Sequence, residues 1–254
     1  MKFFFNKIIK PYISKNKCVD VCEIGASCGN HSDCLIGIDA IRLTIVDPCL
    51  DADLGGKYKD NQKVDVWQGL SLNVLRKMSG KFDCILIDGD HNWYTVFNEL
   101  KSIRERDMLR KGGVIFLHDV CWPYGRRDMY YIPSSIPDEF RHPHAKKGIV
   151  RIQPQLSEFS GMNASVDNAI YEGGERNGVL TAIEDFLKVY GREYFFIVLR
   201  QQYGLGILIK KKNIGISIQY LKWLLIFKCD LLWSKLRVWL SLLRRWINLH
   251  RNSN

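Results

Sequence analysis

No stretch of about 18 uncharged apolar residues occurs in this 254-residue sequence, so no membrane-spanning helix is expected. Nor is there an internal repeat, and the length suits one large domain or one domain with an appendage. Seven prolines and scattered glycines are too few and too irregular for a fibre or a disordered chain. The opening apolar runs, two or three residues long and broken by charge and Pro11, are too short for a secretory core of about 7–15 residues. A signal peptide is therefore not expected. Eight cysteines are present, but Cys18, Cys22 and Cys84 sit in apolar runs that read as buried strands. No disulfide framework is expected, and a reducing, cytoplasmic compartment is the simplest setting. Acids are scarce at one end: residues 210–254 hold ten of the 37 Lys and Arg but one of the 27 Asp and Glu, Asp230. The formal charge of +10 thus belongs to that tail, the body is nearly neutral, and nucleic acid is not an expected partner.

What is present alternates like a parallel α/β sheet. Strands are expected over 18–24, 42–47, 63–68, 82–88 and 113–119, with helices over 71–78 and 93–109 between them. The second helix puts Val96, Leu100 and Ile103 on one face and Glu99, Arg104 and Glu105 elsewhere, and Lys111-Gly112-Gly113 is expected to end it. Regular strands are hard to find in 120–177. A helix over 177–190 and an antiparallel hairpin of 193–200 with 204–211 follow. The expectation is a doubly wound, Rossmann-like sheet with one reversed strand. Residues 1–209 form the domain, with an insertion at about 120–177, and 210–254 form a basic amphipathic helical tail.

Ligands of such sheets bind beyond the carboxyl ends of the strands. The first strand ends in Glu23-Ile24-Gly25-Ala26-Ser27-Cys28-Gly29, whose two glycines allow a tight turn and close backbone approach. The second ends at Asp47, where a carboxylate can accept ribose hydroxyls. Position 27 is Ser and position 30 is Asn, so the glycine pattern of nicotinamide and flavin enzymes is absent. The fourth and fifth strands end in Asp88-Gly89-Asp90-His91 and His118-Asp119, so three acids and two histidines converge. Carboxylates suit Mg²⁺, whereas imidazoles favour Mn, Fe or Zn. Cys28, His31 and Cys34 recur every third residue, but they lack a fourth ligand and a structural zinc is not expected.

Glu-x-Gly-x-x-x-Gly followed by an acid at the next strand end resembles the class I S-adenosylmethionine-dependent methyltransferases, which also show a terminal antiparallel hairpin. The resemblance implies that Gly25 to Gly29 wrap the methionine part, Asp47 holds the ribose, and Gln68 to Ser71 lie near the adenine. The expected cofactor contacts are Glu23, Gly25, Ala26, Gly29, Asp47, Gln68, Gly69, Ser71 and Asp88. IDGDHNW with GGVIFLHD is similar to the branch called methyltransferase family 24, which contains metal-dependent sugar O-methyltransferases of the macrocin and mycinamicin type. By position, Asp88, His118 and Asp119 are then the expected ligands of a divalent metal (Mg or Mn). His91 is the expected general base, with Asp88 beside it in catalysis. His118 stands where the macrolide enzymes usually have an acid.

A sugar hydroxyl needs help to lose its proton, and an ordinary imidazole titrates near pKa ~6.5, so His91 suits the task. The sulfonium already activates the methyl group, leaving the protein mainly to align an in-line displacement. The acceptor is expected to meet the insertion, through Trp122, Tyr124, Arg126, Arg127 and Tyr130, because aromatic faces stack on sugars and guanidinium groups clamp anions. Asn163, Asn168, Glu172 and Arg176 are further candidates.

In 216–250, basic and polar residues recur every three to four positions among Leu and Trp, a pattern suited to an anionic membrane surface. The expected function is O-methylation of a sugar or glycan acceptor, of a bacterial surface polysaccharide or its precursor, by a cytoplasmic, peripherally membrane-bound enzyme. A homo-oligomer is compatible with this. The competing readings are an RNA methyltransferase and a non-catalytic membrane-recruited scaffold.

Overall fold

Five apolar runs become adjacent parallel strands because a strand covered on both faces can be apolar throughout. In the computed structural model, which describes residues 1–38, 40–49 and 51–211, these are β1 (Asp20–Ile24), β2 (Arg42–Asp47), β3 (Val64–Gln68), β4 (Phe82–Ile87) and β5 (Leu109–His118). Two later strands, β9 (Tyr194–Leu199) and β10 (Leu205–Lys210), complete a seven-stranded sheet of order β3-β2-β1-β4-β5-β10-β9. Only β10 runs against its neighbours, β5 and β9, which is the expected terminal hairpin with one reversed strand. The chain builds outward from β1 to β3, then returns to place β4 on the other side of β1. The crevice at that reversal is where such sheets hold ligands.

One face of the sheet packs Cys22, Ile24, Ile85, Ile87, Ile115 and Leu117 against Val96, Leu100 and Ile103 of helix Trp93–Glu105 and Ile183 and Phe186 of helix Val179–Tyr190. Each such side chain contributes roughly 1.5–3 kcal/mol on full burial. A helical segment missing from the sequence reading also shields the sheet. It runs through Lys2–Phe4, a π-turn Phe5–Ile9, and Lys10–Lys15. Phe4, Phe5, Ile9 and Ile13 are buried, and Tyr12 meets Phe116 of β5 edge-to-face at 5.5 Å.

The helix from Trp93 stops at Glu105, well before the glycines expected to end it. Asp107 adopts a left-handed φ of 52°. Its N–H donates to Arg104 O (3.1 Å), while the Met108 N–H donates to Ile103 O (2.9 Å). This is a Schellman closure with Asp where glycine is usual. Lys111, Gly112 and Gly113 instead belong to β5, where the register against β4 shifts between Phe82 and Cys84. A Cβ at Gly113 would lie 2.9 Å from the carbonyl oxygens of Asp83 and Arg110, so the irregularity itself demands glycine.

The insertion holds its own three-stranded antiparallel sheet, in the order β6 (Met129–Tyr130), β8 (Asp167–Ala169), β7 (His144–Ala145). Buried Asp128 fastens it to the main body. Its carboxylate accepts from Trp93 N (2.7 Å) and Gly178 N (2.6 Å), at the starts of two core helices, and from the Tyr130 hydroxyl (2.9 Å). Asp128→Ala leaves three buried donors unpaired and should destabilise the fold by about 2–4 kcal/mol in chemical denaturation, with Asp128→Asn recovering part of the loss.

Candidate functional site

After Ile24 the chain turns back through Gly25 (φ 84°), Ser27 (φ 50°) and Gly29 (φ 76°). A Cβ on Gly25 would lie 2.2 Å from Gly89 Cα, so the turns after β1 and β4 touch backbone to backbone. Asp47 holds the first turn from the side. Its Oδ2 accepts from Ala26 N (2.8 Å) and Ser27 N (3.0 Å), and its Oδ1 accepts from Cys49 N (2.6 Å). Beneath the turn, buried Glu23 accepts from the Ser32 hydroxyl at 2.5 Å, and burial pushes its carboxyl up to about 7.

A cavity of about 450 Å³ opens over these turns, a size ordinary for a ligand site. Of the expected cofactor contacts, Gly25, Asp47, Ser71 and Asp88 line it. Glu23, Ala26 and Gly29 do not: they shape the turn from behind, and Gly29 is the N-cap of helix Asn30–Ile36. Gln68 ends β3 exposed and outside the cavity, while the Gly69 N–H donates to Asp47 O (2.9 Å). The sequence reading passed over Asp51, which accepts from the Ser27 hydroxyl at 2.7 Å, together with Thr95 and Tyr131 on the cavity wall.

The cavity ends at Asp88, where a polar cluster begins. Asp88, His91, His118 and Asp119 each offer a ligand atom within 4.8 Å of the others, the one such group among the described residues. His118 Nδ1 lies 3.0 Å from Asp88 Oδ1 and 3.1 Å from Asp119 Oδ2. His91 Nε2 lies 2.7 Å from Asp119 Oδ2 and 3.7 Å from Asp88 Oδ1, without hydrogen-bond alignment, and His91 Nδ1 is buried without a partner. The α-amino nitrogen of Met1 lies 2.9 Å from His118 Nε2 and 3.3 Å from Asp88 Oδ2. Burial works against ionising these groups, but the pairing is stronger. His118 and His91 hold Asp88 far below the usual carboxylate range, His91 and His118 do the same for Asp119, and the carboxylates raise both imidazoles. The donor set of two carboxylates and two imidazoles, with an orphaned ring nitrogen, suits a divalent cation. Cys28, His31 and Cys34 form no such group; Cys28 and Cys34 are exposed and His31 stacks on Phe5 at 5.2 Å.

The insertion residues expected to grip an acceptor hold the insertion together instead. Arg127 is fully buried and donates to the carbonyls of Ala169, Ile170 and Pro154. Arg126 makes a bidentate pair with Glu184 (2.6 and 2.7 Å). Buried Tyr130 donates to Asp128 and accepts from His142 N (2.9 Å). Tyr124 is also buried; its hydroxyl donates to Asn168 and accepts from Asn163, and its ring lies 5.5 Å from His91. Trp122 carries the Arg151 guanidinium at 4.7 Å from its ring centre. Asn168 holds the carbonyls of Lys147, Asn163 and Val166. Glu172 lies 3.8 Å from Arg127, and Arg176 covers Trp93 and Phe140. Of the insertion's aromatics, Tyr131 lines the cavity, 56% exposed and 6.2 Å from the His91 ring.

Glu99, expected off the apolar face of its helix, has no solvent exposure and lines the cavity. Burial, with the Asp90 charge adding and Ser71 and His91 opposing, pushes its carboxyl from an ordinary 4.5 up to about 8. Glu99 therefore binds its proton more tightly folded than unfolded. That contribution to stability is complete below the ordinary value and disappears as pH rises through about 8. Glu99→Gln, which cannot ionise, should match the wild type in thermal unfolding near pH 5 and unfold at a higher temperature at pH 9.

The family described as "Methyltransferase domain", methyltransferase family 24, matches residues 22–120, from β1 through the end of β5. Among curated proteins, none matches the sequence. Among solved structures, the S-adenosylhomocysteine-bound methyltransferase PaMTH1 of Podospora anserina is similar over 79% of this chain and 75% of its own, with 15% identity and a TM-score of 0.50. An O-methyltransferase of Bacillus cereus in complex with S-adenosylhomocysteine matches over 81% of this chain and 80% of its own, with 14% identity and a TM-score of 0.47. Residues 22–120 thus match the methyltransferase domain of family 24, and the fold is that of the S-adenosylhomocysteine-bound methyltransferase of Podospora anserina.

Proposed function

We propose that the protein methylates a sugar hydroxyl, on a bacterial surface polysaccharide or its precursor, using S-adenosylmethionine and assisted by a divalent cation such as Mg²⁺ or Mn²⁺. The observation that carries this reading is that Asp88 belongs both to the cavity wall and to the Asp88–His91–His118–Asp119 cluster. A methyl donor in the cavity and groups able to remove a hydroxyl proton would therefore meet at one residue.

The donor's ribose would lie beside Asp47 and Asp51, its methionine part beside Gly25 and Asp88, and its base toward Ser71. When bound, S-adenosylmethionine supplies a methyl carbon made electrophilic by its sulfonium. Asp88, His118 and Asp119 would hold the cation, which acidifies a coordinated hydroxyl. His91 would take the hydroxyl proton on a ring nitrogen, and Asp119, 2.7 Å from Nε2, stabilises the imidazolium that forms. The deprotonated oxygen would then take the methyl carbon as the carbon–sulfur bond breaks, which would leave a methyl ether and S-adenosylhomocysteine. Tyr131, half-exposed beside His91, offers a face for a sugar ring. A wall of this kind supports a carbohydrate acceptor more directly than the internally bonded arginines do.

An anionic membrane surface as partner rests on the Trp, Lys and Arg content of residues 216–250, which lie outside the described residues. No helix among the described residues is long and apolar enough to cross a membrane.

In calorimetric titration, the wild type should bind S-adenosylhomocysteine at micromolar concentration and Asp47→Ala should weaken it more than about tenfold. A folded wild type with no affinity would remove the reading. With radiolabelled donor and glycan acceptors, transfer should need Mg²⁺ or Mn²⁺ and fall about 100-fold or more in His91→Ala; full activity in excess chelator would remove the cation from it.

A further inference from the structure

An acid on the buried face of a core helix is out of keeping with its neighbours. Helix Trp93–Glu105 buries Val96, Leu100 and Ile103, and Glu99 shares their side with no exposure. Neither carboxyl oxygen has a hydrogen-bond partner of good geometry, and no cation pairs with Glu99 among the described residues. Leaving a buried polar group unpaired costs about 1–3 kcal/mol, a penalty a sequence avoids by placing Leu there. Glu99 therefore lines the cavity with a carboxyl that only the nearby Ser71 side chain begins to satisfy.

The position within the cavity narrows what it meets. Asp47 and Asp51 flank one stretch of the wall, and Gly25 and Asp88 lead to the polar cluster. The remaining part lies between Ser71 and the first turns of the helix from Trp93, with Thr95 on the wall and Glu99 one turn below it. We propose that Glu99 reads the adenine of the methyl donor, its carboxyl pairing with the exocyclic amino group and the adjacent ring nitrogen. This rests on the donor reading given above. An aminopurine edge offers one donor beside one acceptor, and a carboxylic acid offers the reciprocal pair on two oxygens of one planar group. Glu99 has the neutral form this requires, since burial holds its proton through neutral pH. Ligand binding then relieves both unpaired oxygens at once. A site built to bond a polar group rejects the analogue lacking it far more strongly than an apolar pocket does.

The test is a calorimetric cycle on the full chain with two ligands, S-adenosylhomocysteine and its analogue with hydrogen in place of the 6-amino group. Wild type should prefer the adenine ligand by about tenfold or more. Glu99→Leu, which fills the same space without polar atoms, should lose that preference by weakening only the adenine ligand. Glu99→Gln keeps a donor and an acceptor and should retain most of it. Circular dichroism of each variant checks that the fold is kept. If Glu99→Leu is folded and still prefers adenine as the wild type does, the assignment is overturned while the donor reading stands. If the folded wild type binds neither ligand, the donor reading falls and the assignment with it.

Discussion

The contact between the Gly25 and Gly89 backbones is the constraint from which the rest of the site follows. With a Cβ at Gly25 held only 2.2 Å from Gly89 Cα, no side chain can separate the turns after β1 and β4. The left-handed φ of 84° makes glycine the natural occupant on conformational grounds as well. Asp47 then fixes the first turn from β2 through two backbone N–H groups. Three neighbouring strand ends are thereby locked into one rim, and the cavity inherits its shape from main-chain geometry. Side chains on this rim contribute chemistry to a cradle that the backbone has already shaped.

Electrostatics divides the rim into two regimes. Around Asp88 and Asp119, carboxylates and imidazoles lie within about 3 Å, and pairing overcomes burial to hold the carboxyls far below and raise the imidazoles above their ordinary values. Around Glu99 no cation pairs directly, burial outweighs the opposing pull of Ser71 and His91, and the carboxyl is pushed up to about 8. One cavity thus joins a strongly polarised end to a quiet, hydrogen-bonding end. Transfer between a charged sulfur and an ionisable oxygen needs the first, and recognition of a flat neutral base needs the second.

The strands and their doubly wound class were legible in the sequence because continuous apolar runs have few alternatives to burial between helices. Asp47, Asp88, His91, His118 and Asp119 were legible for the same reason: they interrupt those runs where a strand must end. What escaped notice lacks a period or draws its partners from afar. The helical segment over 2–15 alternates Phe and Ile with lysines at irregular spacing, and β6, β7 and β8 are only two or three residues long. Arg127 reads as a ligand clamp until the carbonyls of residues 154, 169 and 170 converge on it. Tyr130 and Tyr131 must face opposite ways, but alternation alone does not say which turns inward. Glu99 was set apart from the apolar face because acids usually avoid it, which is the rule that binding sites break.

The reversed strand has a consequence for how the chain must be made. β5 presents Val114, Ile115, Phe116 and Leu117 along an edge that β10 covers, and β10 begins at Leu205. Between them lie the whole insertion and the helix Val179–Tyr190. During synthesis the strand that ends in His118 therefore waits, unpaired on one side, while some ninety residues emerge, since only then does its partner exist. An exposed apolar edge is a template for pairing with other chains. The closing hairpin is thus also a guard for the nascent chain, and one that arrives late.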